Sequence, residues 1–359
     1  MVFDELRSQH QQHEAAVARW EATRATLPVS EALAGDQLTV CSVAFKAKQC
    51  LDLNHRLMRA LNDQSTLPTW LLFDNNDEPA EQINGDPRFE VVRPKERAGF
   101  MGYEHALGLT ALLPHIRTRF VLFLDPDCFI VRPHWVRDVV AHMKDRQLAF
   151  FGTPINPRRH NSYRYFPYCV CMFVDLARVP RRELVFLPNV WNLRDAVSYR
   201  LRDSIASVPR VGALFRWLLT ERWLTNGWQL RQRYGSHPTL KNECVQPVWD
   251  VNDTIPPGSL RRVIHHLTPA SVSPVPKRPG YVSAVGFREM GAPDLEALGW
   301  EEFVWRGAPF AFHIGSVHSS RRAPYEEELR EVVHAFSRGG AGQHVPSEAP
   351  VAVRHSEAS

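Results

Sequence analysis

Two carboxylates leave a strongly hydrophobic run one residue apart: Asp125 and Asp127 flank Pro126 in the segment VLFLDPDCFIV. Aspartate is seldom buried unless it is paired or binds a metal. Such a pair attracts a hard divalent cation, Mn²⁺ or Mg²⁺, which keeps open positions for phosphate oxygens. The same tripeptide also serves as a plain strand-ending turn in which aspartate accepts from backbone amides. Its surroundings favour the first use. Asp74-Asn75-Asn76-Asp77 close another apolar run, and Ala44-Phe45-Lys46 put a small residue and a cation at the end of a third. Lys95 to Tyr103 add Lys95, Arg97, Gly99 and Gly102, cations that suit phosphate and glycines that admit a ligand close to the backbone. Neither GxGxxG nor GxxxxGK[ST] occurs, so a dinucleotide fold or P-loop is not supported. Far downstream, His313 follows Phe310-Ala311-Phe312 and precedes Gly315. A neutral imidazole there is an acceptable Mn²⁺ ligand; the alternative is a hydrogen-bonded turn histidine.

The elements that must position these residues are legible between 38 and 178. LTVCSVAF, TWLLFD, FEVVRP and RFVLFLDPDCFIV read as four strands, the last the most apolar. CLDLNHRLMRALND places Leu51, Leu53, Leu57 and Leu61 on one helix face, and MGYEHALGLTALLPHI reads as a second helix. This order predicts an α/β fold with a mostly parallel sheet flanked by helices on both faces. In such sheets ligands bind at the carboxyl ends of the strands, where the acids fall.

LTVCSVAFKAKQCLDLNHRLMRAL, WLLFDNND, GFMGYEHALGL and FLDPDCFIV together resemble the nucleotide-sugar half of a GT-A glycosyltransferase of the family-2 type, over roughly residues 38–178. The resemblance implies a metal-dependent glycosyltransferase that moves a sugar from a nucleotide-sugar, a UDP-sugar on family frequency, to a hydroxyl acceptor. The acceptor class stays open among a glycan, a lipid-linked sugar and a small molecule. The resemblance makes Asp74 a base or ribose contact, Asp125 a ribose and metal contact, and Asp127 a metal ligand. Ala44, Phe45, Lys46, Asn76, Arg97 and Gly102 join the donor site, and His313 completes the metal site. Inverting transfer needs a base for the acceptor hydroxyl. Where related sequences carry an Asp-Thr-Gly-Trp-like turn, this chain has Thr225-Asn226-Gly227-Trp228, without the carboxylate. Glu221 and Asp250 are the nearest substitutes; a retaining mechanism or lost activity stay open beside them. The rivals are a nucleotidyltransferase of similar fold, against which VAFKAKQC has no glycine-rich loop, and a non-catalytic binding protein.

The rest of the chain bounds these readings. With 359 residues, 44% hydrophobic and 23% charged, it has material for about two domains of roughly 150 residues and a sizeable core. No stretch approaches about 20 apolar residues, which excludes a polytopic membrane protein. No leader pattern opens the chain, so the cytoplasm is the expected location. The six cysteines form no CxxC and are expected to be free thiols. A net charge of +4 implies no nucleic-acid partner. The expected organisation is a helical appendage over 1–36, carrying Phe3, Leu6, Val17 and Trp20, then a nucleotide-sugar core over 37–178. An acceptor-binding and metal-completing portion follows over 179–338, with a disordered tail over 339–359. In the third part, ten arginines face four acids between Arg181 and Arg233. Segment 196–224 reads as a basic amphipathic helix broken at Pro209, either core-facing or in peripheral contact with the inner face of an anionic membrane. Tyr163, Tyr165, Phe166 and Tyr168 are candidates for an acceptor cleft or for core packing. CVCMFVDL reads as a buried strand beside them, and His265-His266 as strand or surface residues.

Overall fold

The computed structural model describes residues 2–28, 33, 35–76, 82–83, 85–93, 101–157, 164–187, 226–250, 252, 255, 257–267, 276–315 and 325–339. Three short strands with wholly or almost wholly buried side chains form its centre: β1 (Leu38–Ala44), β2 (Thr69–Asp74) and β4 (Phe120–Leu124). Continuous apolar runs such as LTVCSVA and FVLFL are what a strand covered on both faces requires. With β3 (Glu90–Val92) they build a parallel array in the order β3-β2-β1-β4. β7 (Cys171–Asp175) continues it antiparallel to β4, followed by β6 (Leu148–Gly152) antiparallel to β7 and β8 (Lys241–Cys244) parallel to β6. The result is the expected mostly parallel sheet, seven strands wide. CVCMFVDL is thus a central strand of this sheet.

Helices cover both faces. On one side lie α2 (Lys48–Leu61), α4 (Trp135–Arg146) and α7 (Tyr325–Gly339), packed on Val40, Leu72, Leu122 and Phe173. The Leu51, Leu53, Leu57 and Leu61 face of α2 is buried as its spacing predicts. On the other side are α1 (Val2–Thr26), α3 (Met101–Leu112) and α5 (Trp228–Tyr234), against Cys41, Phe73, Val121 and Phe123. The amino-terminal helix is therefore packed into the second core layer through Ala16 and Trp20, whose indole donates to Leu184 O at 3.4 Å. A short helix, α6 (Leu260–Leu267), contains His265 and His266, which corrects the strand reading of that pair.

A second sheet has the order β5-β11-β10-β9 and is antiparallel: β5 (Cys128–Ile130), β9 (Gln246–Pro247), β10 (Glu301–Trp305) and β11 (Ala308–His313). Here the fourth expected strand departs from its reading. RFVLFLDPDCFIV is two strands, β4 in the main sheet and β5 in the second, and the chain changes sheets at Asp125-Pro126-Asp127. Proline cannot donate to a ladder, and the Cys128 amide instead closes the turn on Asp125 O at 3.0 Å.

All six cysteines are free, five of them buried. Burial pushes the Cys41, Cys128, Cys169 and Cys244 thiols up, so they stay protonated. Segments 196–224 and 340–359, together with Asp77, Arg97, Tyr163 and Glu221, lie outside the described residues. Among the described residues no helix is long and apolar enough to cross a membrane.

Candidate metal centre

The order β2-β1-β4 makes the carboxyl ends of β1 and β4 a topological switch point, with β2 on one side and β4 on the other. Asp125 follows the last residue of β4, its amide donating to Val170 O at 2.8 Å. Three residues on, β5 pairs with β11 so that Cys128 faces His313 in register, and the Ile314 amide donates to Asp127 O at 3.1 Å. A contact between residues 186 positions apart is thus fixed by strand register. Asp125, Asp127 and His313 each offer one ligand atom, all within 4.8 Å of one another. His313 Nε2 lies 3.5 Å from Asp127 Oδ1. Two carboxylates and one imidazole form a donor set that suits Mn²⁺ or Mg²⁺, and the spacing lets one cation touch all three. The residues fit the group.

Groups without a sequence signature of their own hold each of the three candidate ligands. Glu301 faces His313 in the β10–β11 register, and His313 Nδ1–H donates to Glu301 Oε2 at 2.8 Å. A carboxylate only accepts, so the proton sits on Nδ1, and Nε2 is the nitrogen available to a cation. Burial alone would lower the His313 pKa. The adjoining Asp127 and Glu301 carboxylates outweigh it and push the pKa up to about 10. The imidazole therefore holds the positive charge that balances the carboxylates, and a cation must displace its proton.

His105, on α3, plays the matching part for Asp125: its Nε2–H donates to Asp125 Oδ1 at 3.0 Å. The Asn226 amide donates to His105 Nδ1 at 3.1 Å, which fixes the tautomer. Desolvation acts to lower the His105 pKa, but the charges of Asp125 and Asp127 and the bond to Asp125 raise it overall. Asn226 belongs to the turn where a carboxylate was expected, so this turn does reach the site, carrying an amide. Gly108, one turn after His105, lets α3 approach the sheet: a Cβ there would lie 2.8 Å from side-chain atoms of both Val43 and Phe73. The third support is Asn54 on α2, 4% exposed. Its Nδ2 donates to Pro126 O (3.0 Å) and Cys128 O (2.8 Å), the carbonyls on either side of Asp127.

Among the sequence-predicted donor residues, Ala44 ends β1 and pairs in register with Asp74. Phe45 is half-buried, and Lys46 is exposed with a left-handed backbone (φ 51°), its amide donating to Asn76 Oδ1 at 2.6 Å. Asp74 is buried and fully engaged. One oxygen accepts from the Asn76 amide and side chain, the other from the Ile83 amide and Arg93 (2.9 Å). It knits together the loops at the ends of β1, β2 and β3. Gly102 lies in the first turn of α3. Asp250, a candidate base, is exposed after β9, its carboxylate accepting from the Asn252 amide at 2.8 Å. Phe166 is buried against Phe150 and belongs to the core, whereas Tyr165 stacks edge-on with Tyr281 beneath the Arg278 guanidinium.

Neither a family model nor a curated protein matches the chain by sequence. Parts of it are similar to solved glycosyltransferase structures. S. aureus TarS 1–349 in complex with UDP-GlcNAc is 13% identical over 42% of this chain and 48% of that one, with a TM-score of 0.31. Mannosyltransferase PcManGT from Pyrobaculum calidifontis, in complex with GDP-Man and Mn²⁺, is 12% identical over 50% and 57%, with a TM-score of 0.32. The chain thus spans about half the length of each.

Proposed function

We propose that the protein is a metal-dependent glycosyltransferase that moves a sugar from a nucleotide-sugar, a UDP-sugar first, to a hydroxyl acceptor. The observation that carries this reading is the convergence of Asp125, Asp127 and His313 at the switch point of the sheet. A bound Mn²⁺ or Mg²⁺ supplies Lewis-acid stabilisation of the departing diphosphate. Asp125 and Asp127 would hold the cation, and His313 would bind it through Nε2 after losing the proton there. Asp125 keeps one oxygen on His105 and presents the other towards the donor.

Ala44, Phe45, Lys46, Asn76, Arg97 and Gly102 are the residues we assign to the nucleotide-sugar. Asp74 serves them by holding Asn76, and through it the Lys46 loop, in one geometry. In transfer the acceptor oxygen bonds to the sugar C1, the bond from C1 to the diphosphate oxygen breaks, and a base takes the hydroxyl proton. Glu221 and Asp250 are the carboxylates proposed for that base in an inverting reaction. Aromatic faces such as that of Tyr165 would stack on the acceptor.

The test is metal-dependent hydrolysis of a panel of nucleotide-sugars by the wild type and Asp127→Asn. Release of a nucleoside diphosphate from one donor, abolished by EDTA and in the variant, supports the reading. Consumption of a nucleoside triphosphate with a sugar phosphate would assign a nucleotidyltransferase instead. If no nucleotide bound in the presence of Mn²⁺ by calorimetry, the reading would be wrong.

A further inference from the structure

A cleft of about 450 Å³ opens between α2 and α7, and none of Asp125, Asp127 and His313 lines it. Its walls carry Lys46, Lys48 and Arg56 from the β1 end and α2, and Arg330 from α7, against two acids, Asp52 and Glu326. Both acids have partners at hand. Asp52 accepts from Arg88 at 2.6 Å, and the Gln49 amide, in its sterically equivalent orientation, donates to Glu326 at 2.8 Å. Lys48, Arg56 and Arg330, by contrast, make no ion pair among the described residues. Three like charges drawn from two helices into one concavity repel one another, and an anion placed between them removes that cost. The volume is in the range of small-molecule sites and exceeds what a single small ion fills.

The helix geometry separates the α2 wall of this cleft from the metal turn, while Lys46, at its β1 edge, borders the proposed donor site. At about 100° per residue, the cleft-lining positions 49, 52, 53 and 56 cluster on one face of α2. Asn54, which grips the Asp125–Asp127 turn, points about 150° away from their mean direction. A ligand in the cleft and a ligand on the metal centre therefore sit on opposite sides of α2.

We propose that this cleft is a second ligand site, taking a phosphate-bearing molecule through Lys48, Arg56 and Arg330. Guanidinium groups pair bidentately with phosphate oxygens, and an ammonium group adds a point charge. The proposal does not depend on the assigned reaction.

The probe is inorganic pyrophosphate, titrated by calorimetry into the full chain in EDTA, so that no cation bridges it to the aspartates. Saturable binding is expected, weakened at least about tenfold in Arg56→Ala/Arg330→Ala and unchanged in Asp127→Asn. Both arginines are exposed, so the double variant keeps the fold, which circular dichroism checks. No saturable binding, or binding indifferent to the arginines, overturns the proposal, and loss in Asp127→Asn would place the anion at the metal centre. Orthophosphate and a phosphorylated oligosaccharide, run beside it, separate a free-phosphate site from one for a phosphorylated polymer.

Discussion

Replacing Asn54 by leucine tests the support of the metal turn with little change in volume. The wild-type amide is buried and donates to Pro126 O at 3.0 Å and Cys128 O at 2.8 Å. Leucine removes both donors and leaves two buried carbonyls to lose those bonds. At about 1–3 kcal/mol for each buried acceptor left without its partner, the expected loss is about 2–6 kcal/mol. Asn54→Asp is worse, because it turns a carboxylate towards two carbonyl oxygens. Asp127 stands between the gripped carbonyls, so loosening them also costs about 10–100-fold in Mn²⁺ affinity, as loss of outer-shell support does at metal sites generally. Leu57→Ala is the control: it empties a fully buried position on the same helix and costs about 2–5 kcal/mol. It leaves the turn gripped, so its Mn²⁺ affinity should match the wild type. Urea unfolding in EDTA gives the stabilities, and Mn²⁺ titration gives the affinities. Asn54→Leu within about 0.5 kcal/mol of wild type, a cost typical of an indifferent surface site, would refute the reasoning. So would equal Mn²⁺ affinities for Asn54→Leu and Leu57→Ala.

If His313 serves the proposed metal site, proton and cation compete there, because its pKa is pushed up to about 10. In EDTA, the stability from its charged contacts is full below about pH 6.5 and lost as pH rises through 10. Mn²⁺ affinity runs the other way, rising about tenfold per pH unit from 6.5 to 9 with one proton released per cation; calorimetry in two buffers of different ionisation enthalpy reads both. Glu301→Gln removes one of the charges that hold the proton and should flatten that slope. Asp175 is fully buried and accepts from Arg119 at 2.9 and 2.8 Å. Among the described residues, Arg119→Ala leaves Asp175 with only the longer Arg178 contact (3.4 Å) and the Ala177 amide, and the loss of two charge-assisted bonds should cost about 1.5–3 kcal/mol in urea unfolding. Gly152 ends β6 with φ 153°, and a Cβ there would lie 2.0 Å from Cys171 O. Gly152→Ala must separate β6 from β7, and loss of soluble folded protein on expression is the outcome expected.

Parts of this fold and site are legible in the sequence for local reasons. β1, β2 and β4 show as unbroken apolar runs because the sheet covers both their faces, and α2 shows because its leucines recur at helical spacing. The break at Asp125-Pro126-Asp127 was hidden because apolar residues continue through CFIV, and only pairing with β11 reveals a change of sheet. His313 is singled out in the sequence by its strand and turn context. Glu301, His105 and Asn54 carry no such local signature. Glu301 is brought to His313 by a hairpin register, His105 to Asp125 by the close approach of α3, and Asn54 to its carbonyls from more than seventy residues away. Asp74 was legible as an acid at a strand end, but that all its bonds are internal depends on Ile83 and Arg93 folding back over it.

The central claim is that Asp125, Asp127 and His313 form one cation site that serves a nucleoside diphosphate. Electron paramagnetic resonance of Mn²⁺ titrated into the protein, with and without UDP, measures it directly. One bound Mn²⁺ per chain is expected, tighter with UDP present and absent from both Asp127→Asn and His313→Ala. Equal binding by the wild type and both variants, or none by the wild type in either condition, would contradict it.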